Sequence, residues 1–178
     1  MFLYIAKNIT PMVLKTFKMK KIIFGTLVLI PLFSFVYNDN QKIESTKNIN
    51  QLMDKWHKDV AEYKLVDYFD VMDSTFVFLG TAPDEKWTKQ EFYKFCKPYF
   101  DKKSTWNFKP IKRFVYFSSD FKTAWFEEDL QTWMEGCRGT GVLIKRKTGW
   151  KLAHYNLTVL IENEKMKKFI KLRKKKIK

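Results

Sequence analysis

The sequence has few of the residues from which metal sites and disulfide frameworks are built. Its 178 residues include two histidines, His57 and His154, and two cysteines, Cys96 and Cys137. The histidines lie far apart in the chain, and neither H-x-x-x-H nor a paired-cysteine spacing occurs. We therefore predict neither a metal site nor a cofactor. Two cysteines do not make a disulfide framework, and the sequence leaves a single Cys96–Cys137 bridge open.

Glycine is also scarce, with six residues. The sequence contains neither a phosphate-binding loop nor a nucleophile elbow. The two glycines of Arg138-Gly139-Thr140-Gly141 lie within a predicted strand, where glycine marks a bend or close packing. These absences argue against nucleotide hydrolysis and against serine-hydrolase chemistry.

Acidic residues are missing from both ends of the chain. The formal net charge is +15, but residues 1–21 hold five lysines and no acid, and residues 165–178 hold nine Lys or Arg and no acid. The segment between them is near neutral, with 20 basic and 19 acidic residues. A nucleic-acid-binding fold would spread its basic residues over one face, so we predict no nucleic-acid partner. Membrane contact is expected only through the N-terminal segment or the basic tail, residues 164–178.

Residues 1–37 read as an N-terminal extension followed by a signal peptide or an uncleaved anchor. Lysines at 18–21 precede an apolar run at 22–36, which is short for a membrane span and typical of a signal-peptide core. Either Met1 or Met19 could be the true start. We therefore expect a periplasmic or secreted protein, with residues 38–48 as a polar linker.

The rest of the chain alternates between helical and strand periodicity. Helices are predicted at 49–63, 65–72 and 88–97, the last begun by a Thr88–Glu91 capping box and stopped by Pro98. His57, beside the first apolar stripe, is interpreted as a hydrogen-bonded boundary residue in preference to a catalytic one. Strands are predicted at 74–79, 105–117, 123–133, 137–146 and 150–161, with Gly149 in the last hairpin turn. This order predicts an α+β fold in which helices cover one face of a bent antiparallel sheet.

Several of these segments resemble the SnoaL-like branch of the nuclear transport factor 2-like superfamily. The matching strings stand at 54–72, 76–87, 98–100, 123–130, 137–143 and 149–159, and together they cover a domain at 49–163. The resemblance implies a cone: a curved antiparallel sheet wrapped around N-terminal helices, with a pocket inside. It also implies a homodimer formed through the outer face of the sheet, and many bacterial relatives are secreted.

Alternation along the last strand places Trp150, Leu152, His154 and Asn156 on one face. A row that is apolar at one end and polar at the other fits a half-open pocket wall, and it fits an ordinary sheet face equally well.

On the strand at 123–133, the pocket face holds either Glu127 or Glu128. We assign Glu127 to the pocket, because with Trp125 it continues the mixed aromatic and polar row. On the neighbouring strand, Arg138 and Thr140 share a face. We therefore expect Glu127, Arg138 and the last strand's polar residues to converge on one cavity.

The candidate catalytic residues are Glu127 and His154. The candidate ligand-binding residues, which include two from the helices, are Trp56, Tyr68, Trp125, Arg138, Thr140 and Asn156. An aromatic shell can raise the pKa of a carboxyl by desolvation, or an arginine can hold it ionised. Such a site could bind a small polar ligand or transfer a proton next to a carbonyl. The alternative is a buried, mutually satisfied network that only sets the fold.

Three functions remain open on these grounds. The first is a pocket protein that binds a small molecule outside the cytoplasm. The second is an enzyme of the isomerase or lyase type that uses the Glu/His pair. The third is an oligomerisation or protein-interaction module, since the family resemblance fixes fold better than function.

Overall fold

The computed structural model describes residues 20–174, with side chains for residues 39–173. The described part of the chain divides into two units, one ending at Asn40 and one beginning at Gln41. The predicted extension and the choice between Met1 and Met19 lie outside the described residues, as do the side chains of the apolar run. Within the described part, no helix is long and apolar enough to cross a membrane.

The described residues form four α-helices: α1 (Lys20–Ala61), α2 (Leu65–Asp70), α3 (Lys89–Asp101) and α4 (Met166–Lys174). A short 3-10 turn, Asn163–Lys165, precedes α4. The segment 38–48, expected as a linker, is helical and belongs to α1. The apolar stripe on the C-terminal part of α1 is buried, with Ile49, Met53 and Trp56 at most 2% exposed. This stripe supplies the helical side of the core.

Helix α3 corrects one prediction, because it continues through Pro98 to Asp101. The predicted capping box is present: the Thr88 side chain accepts from the Glu91 backbone N–H, and Glu91 accepts from the Thr88 backbone. Proline removes one helical hydrogen bond. The extra turn buries Phe100, which is 5% exposed, and we attribute the continuation to that burial.

The sheet contains six strands: β1 (Met72–Leu79), β2 (Lys86–Thr88), β3 (Lys109–Phe117), β4 (Thr123–Thr132), β5 (Glu135–Arg146) and β6 (Gly149–Val159). Their order is β2-β1-β6-β5-β4-β3. The predicted run of four antiparallel strands, β3 to β6, is confirmed. Pairing of β1 with β6 is parallel, so the sheet is mixed.

Each strand of this sheet has an inner face packed on the core and an outer face. On β4, Ala124, Phe126 and Glu128 are buried at 2% exposure or less, whereas the intervening Trp125 is 45% exposed. Glu127, between Phe126 and Glu128, is half-buried. The even-numbered residues of β4 therefore face inward.

The side chains of β6 that face inward switch from even-numbered to odd-numbered residues part-way along the strand. Leu143 pairs with Leu152, but the preceding residue Val142 pairs with His154, so Ala153 is an extra residue in a β-bulge. Leu152 before the bulge and Tyr155 after it are both buried. An inward side chain is thus even-numbered at the start of β6 and odd-numbered at its end.

Cys96 and Cys137 are both free and buried. Burial raises the pKa of the Cys96 thiol well above its ordinary value. The Cys137 thiol lies 3.4 Å from the Thr132 hydroxyl. The bridge that the sequence left open is absent.

Candidate ligand cavity

A cavity of about 300 Å³ opens between the helices and the inner face of the sheet. Its wall is dominated by aromatic side chains, among them Trp56, Tyr68, Phe78, Trp87, Phe92 and Trp106. Small-molecule sites have this size and this apolar character. The cavity therefore matches a small ligand in both volume and chemistry.

Stacking between neighbouring rings holds the aromatic wall in place. Trp56 lies parallel to Tyr68, with ring centroids 4.9 Å apart and an interplanar angle of 5°. Phe78 stacks on Phe92 at 4.2 Å and 10°. Such contacts add to the burial energy and fix the rings relative to each other. The cavity is thus preformed: it exists while the surrounding core remains packed.

One polar group of the wall is unsatisfied. The Trp56 indole Nε1–H is buried and has no hydrogen-bond partner among the described residues. A buried donor without a partner carries a desolvation cost, and most such groups in folded proteins are paired. Trp56 lines the cavity, but its Nε1 has almost no accessible surface, so a ligand with a hydrogen-bond acceptor meets this need only where the wall shifts to expose the nitrogen.

A carboxylate network lies behind one part of the wall. Glu128 has a fully buried side chain, and its Oε1 lies 2.8 Å from His57 Nε2. The Tyr155 hydroxyl donates to the same oxygen at 2.9 Å. Both His57 and Tyr155 line the cavity. Glu128 therefore positions two polar groups at the cavity surface without reaching it itself.

Arg113, on β3, completes this network from the other side. Its Nε and Nη2 donate to Glu128 Oε2 at 2.9 and 2.7 Å, a two-pronged pairing that suits the planar guanidinium. Its Nη1 donates to Asp54 at 2.9 Å and to the Asn50 backbone oxygen at 3.2 Å. The arginine thus ties β3 and β4 to helix α1.

The electrostatics of the network favour an ionised Glu128. Burial by itself would raise the pKa of the carboxyl, but the charges and hydrogen bonds of His57 and Arg113 outweigh it, and the pKa lies below its ordinary value. An ionised carboxylate only accepts hydrogen bonds, so His57 Nε2 carries the proton that it shares with Glu128. Burial raises the pKa of the Tyr155 hydroxyl, which stays a donor.

Two glycines of β5 leave room for this arrangement. A Cβ on Gly139 would lie 2.2 Å from the Tyr155 hydroxyl oxygen and 3.0 Å from Glu128 Cγ. A Cβ on Gly141 would lie 2.5 Å from the Phe126 ring. The predicted role of these glycines in close packing is confirmed.

A sequence model of the SnoaL-like domain matches residues 49–162, more than half of the chain. The chain belongs to the SnoaL-like domain family. Among curated protein sequences, none matches it significantly.

Solved structures share the fold of this SnoaL-like domain. One is a candidate aromatic ring hydroxylase from Novosphingobium aromaticivorans, 17% identical, with 67% of this chain and 92% of that chain covered and a TM-score of 0.58. A candidate scytalone dehydratase from the same organism is 10% identical, with 67% and 87% covered and a TM-score of 0.57. A nuclear transport factor 2-like protein of unknown function from Pseudomonas putida is 12% identical, with 66% and 88% covered and a TM-score of 0.56. The predicted cone-shaped α+β fold is confirmed.

Two of the predicted site residues of the SnoaL-like domain, Trp56 and Tyr68, line the cavity. The other six do not. They lie on the outer face of β4, β5 and β6: Trp125, Glu127, Arg138, Thr140, His154 and Asn156.

The face assignment of Glu127 was therefore wrong by one residue, since Glu128 faces inward. Glu127 accepts a hydrogen bond from the exposed Tyr116 at 3.1 Å. Arg138 forms an exposed pair with Asp129 at 3.4 Å.

His154 was also assigned to the cavity face and also lies on the outer face, but for a different reason. The β-bulge at Ala153 turns it outward, away from Leu152, with which strict alternation had grouped it. His154 is half-buried on the outer face, where desolvation lowers the pKa of its imidazole. The predicted neighbours are real, because Thr140 pairs with both Glu127 and Asn156. They meet on the face opposite to the cavity.

Four polar residues around the cavity were not among the predicted site residues: His57, Arg113, Glu128 and Tyr155. The sequence did not reveal them. Arg113 shares its strand parity with Val115 and Phe117, but Phe114 and Tyr116 on the other parity are equally apolar, so the structure was needed to show that Arg113 faces inward. An inward charge needs a buried partner of opposite sign, and Glu128 is that partner.

Proposed function

We propose that this SnoaL-like domain binds a small, largely aromatic molecule in its cavity, and that it does so outside the cytoplasm. The observation that carries the proposal is the preformed aromatic cavity of about 300 Å³ beside the unpartnered Trp56 N–H. The extracytoplasmic location is supported by the lysines at 18–21 and the apolar run at 22–36.

The chemistry of the wall narrows the ligand class. Stacked rings such as Trp56 and Tyr68 offer flat apolar surfaces, which favour a planar ligand over a branched aliphatic one. After a shift of the wall that exposes the buried Trp56 N–H, a ligand with a hydrogen-bond acceptor, such as a carbonyl or phenolic oxygen, would satisfy it. Among the solved structures, the neighbours named as a hydroxylase and a dehydratase add support at the level of fold only.

Filling the cavity from its wall tests this proposal. Leu157 lines the cavity at 6% exposure, so Leu157→Phe places extra side-chain volume inside it. The probe is an anilinonaphthalene sulfonate dye, whose fluorescence rises in apolar cavities. We expect the variant to bind the dye at least about tenfold more weakly, because overpacking costs on the order of 1–3 kcal/mol.

The matched control is Ile144→Phe, a similar enlargement on the outer face of β5. It should bind the dye as the wild type does. Mass spectrometry of the purified protein provides a second measurement, in which a co-purified aromatic compound is expected from the wild type. The proposal is wrong if the wild-type protein binds neither the dye nor a co-purified compound. It is also wrong if Leu157→Phe binds both as tightly as the wild type does.

A second candidate function is acid–base catalysis by His57. The favouring observation is its 2.8 Å contact with buried Glu128 at the cavity wall, since a carboxylate that orients a histidine is a common catalytic arrangement. Glu128 itself is paired with Arg113, His57 and Tyr155, which makes it a positioning residue. This assignment replaces Glu127 and His154 in the isomerase or lyase hypothesis.

Compounds extracted from wild-type protein and from His57→Asn separate catalysis from binding. Catalysis predicts different compounds, because the variant retains a substrate that the wild type converts. Simple binding predicts the same compound in both. A thermal melt of each protein shows whether the variant is folded.

A homodimer is the proposed assembly, formed through the outer face of the sheet. This face presents Phe114, Tyr116 and Trp125, each 42–45% exposed. Contiguous exposed aromatics of this kind are typical of interaction surfaces. Light scattering after size exclusion should give twice the monomer mass for the wild type and the monomer mass for Trp125→Glu. A wild-type monomer would overturn the dimer and leave the interaction-module hypothesis without its main support.

A further inference from the structure

Helix α4 is amphipathic, yet it does not bury its apolar side. It spans Met166–Lys174, and residues 162–173 are all exposed. Its apolar residues include Phe169 at 36%, Ile170 at 45% and Leu172 at 62% exposure. A helix in a globular domain normally turns such a stripe toward the core. The stripe of α4 is therefore available to another surface.

Apolar residues and lysines occupy separate arcs of this helix. At about 100° per residue, the apolar side chains fall within one arc of about 160°. They are Met166, Phe169, Ile170 and Leu172. The lysines at 167, 168 and 171 occupy the opposite arc. Arg173 lies within the apolar arc, and its guanidinium is 5.9 Å from the Phe169 ring centroid. Long basic side chains in this position can extend past an apolar surface to reach polar groups.

The charge around α4 has one sign. Residues 165–178 contain nine Lys or Arg and no acid. A nine-residue helix is marginal in water on its own, and most helices of this length depend on a packed apolar face. A negatively charged surface with an apolar interior satisfies both halves of α4 at once. Nucleic-acid phosphates would meet the lysines but leave Phe169, Ile170 and Leu172 in water.

We propose that α4 is an interfacial helix that lies on anionic lipid bilayers, with its apolar arc among the acyl chains and its lysines at the headgroups. This gives the domain a membrane contact through its C-terminal end. The proposal is independent of the ligand cavity.

The test uses the full chain with an environment-sensitive thiol dye at Leu172→Cys. Labelling is selective because Cys96 and Cys137 are buried. With vesicles that contain phosphatidylglycerol, we expect a blue shift and protection from an aqueous quencher. With phosphatidylcholine vesicles we expect neither. The dye reports α4 itself, so binding through the N-terminal apolar run does not produce this result.

Two variants separate the contributions of charge and apolar contact. Replacing Lys167, Lys168 and Lys171 with Glu should weaken the binding that the dye reports at least about hundredfold, since each lysine near an anionic surface contributes on the order of 1 kcal/mol. Phe169→Ser combined with Ile170→Ser keeps every charge and should abolish the blue shift.

The matched control reverses the same number of exposed lysines elsewhere: Lys94, Lys102 and Lys147 to Glu. Its effect should stay under about tenfold, because salt screens charges beyond about 10 Å. Melting temperatures should match the wild type throughout, since α4 is exposed. The proposal fails if anionic vesicles leave the dye unshifted, if neutral vesicles shift it equally, if the control weakens binding as much, or if duplex DNA alone gives the shift.

Discussion

Glu127 and Glu128 are neighbours on β4, but they lie on opposite faces of the sheet. Glu128 is fully buried and meets Arg113, His57 and Tyr155, whereas Glu127 is half-buried and meets the exposed Tyr116. The outer face carries a second carboxylate–arginine pair, Asp129 with Arg138. Both faces thus combine carboxylate, guanidinium and aromatic groups. They differ in burial, and burial decides how strongly each pair acts.

The two arginines give the largest contrast. Arg113→Ala leaves the buried Glu128 without its guanidinium, and we expect it to destabilise the domain by about 3–5 kcal/mol. Arg138→Ala removes an exposed contact and should cost less than about 1 kcal/mol, because solvent screens it. Urea denaturation of both variants measures the difference. Equal losses would show that the outer pair is buried in the native assembly.

The next largest difference in stability is expected between alanine substitutions at two glycines of β5, Gly139 and Gly136. Gly139→Ala places a methyl group against the Tyr155 hydroxyl and Glu128, and we expect a loss of about 1–3 kcal/mol. Gly136→Ala is the control, because its Cβ would have nothing within 4 Å. Its effect should stay within about 1 kcal/mol. Thermal unfolding distinguishes the two, and a harmless Gly139→Ala would contradict the close packing.

The loss of folding stability in acid should also depend on the inner-face carboxylate, Glu128. The folded-state pKa of Glu128 is lowered from its ordinary value of 4.5, so its ionised form stabilises the fold above that pH. This contribution is lost as pH falls through the lowered pKa. Below pH 4.5, the stability of Glu128→Gln should therefore fall less steeply than that of the wild type. Parallel profiles for the wild type and Glu128→Gln would refute the idea.

The smallest effect is expected at Trp125. Its side chain is 45% exposed, so Trp125→Ala should change the free energy of unfolding of the isolated domain by less than about 1 kcal/mol. In the proposed homodimer this residue is buried between two copies, so the change should grow with protein concentration. Measuring unfolding across a hundredfold range of dilution separates these outcomes.

Prediction from sequence succeeded for several features whose signal is local. The capping box of Thr88 and Glu91, the hairpin at Gly149 and the buried stripe of α1 each depend on residues within a few positions of one another. It failed at Pro98, where the burial of Phe100 favours an additional helical turn. Local rules cannot weigh a lost hydrogen bond against distant packing.

Correct prediction of the site residues required knowing which face of each strand meets the helices. Trp56 and Tyr68 lie on helices whose apolar stripes have one buried side, so their inward position followed from periodicity. A strand has two equivalent faces, and a shift of one residue exchanges Glu127 for Glu128.

The sequence by itself determined most of the helices and strands, their order and the basic ends, because these rest on composition and short-range periodicity. It predicted neither strand β2 nor the helical segment 38–48. Only the tertiary structure decided which carboxylate enters the core and where His154 points. The β-bulge at Ala153 reverses which side chains of β6 point inward. The arginine partner of Glu128 comes from β3, 15 residues away in sequence. Such choices follow from cross-strand register and shared burial, which no single segment encodes.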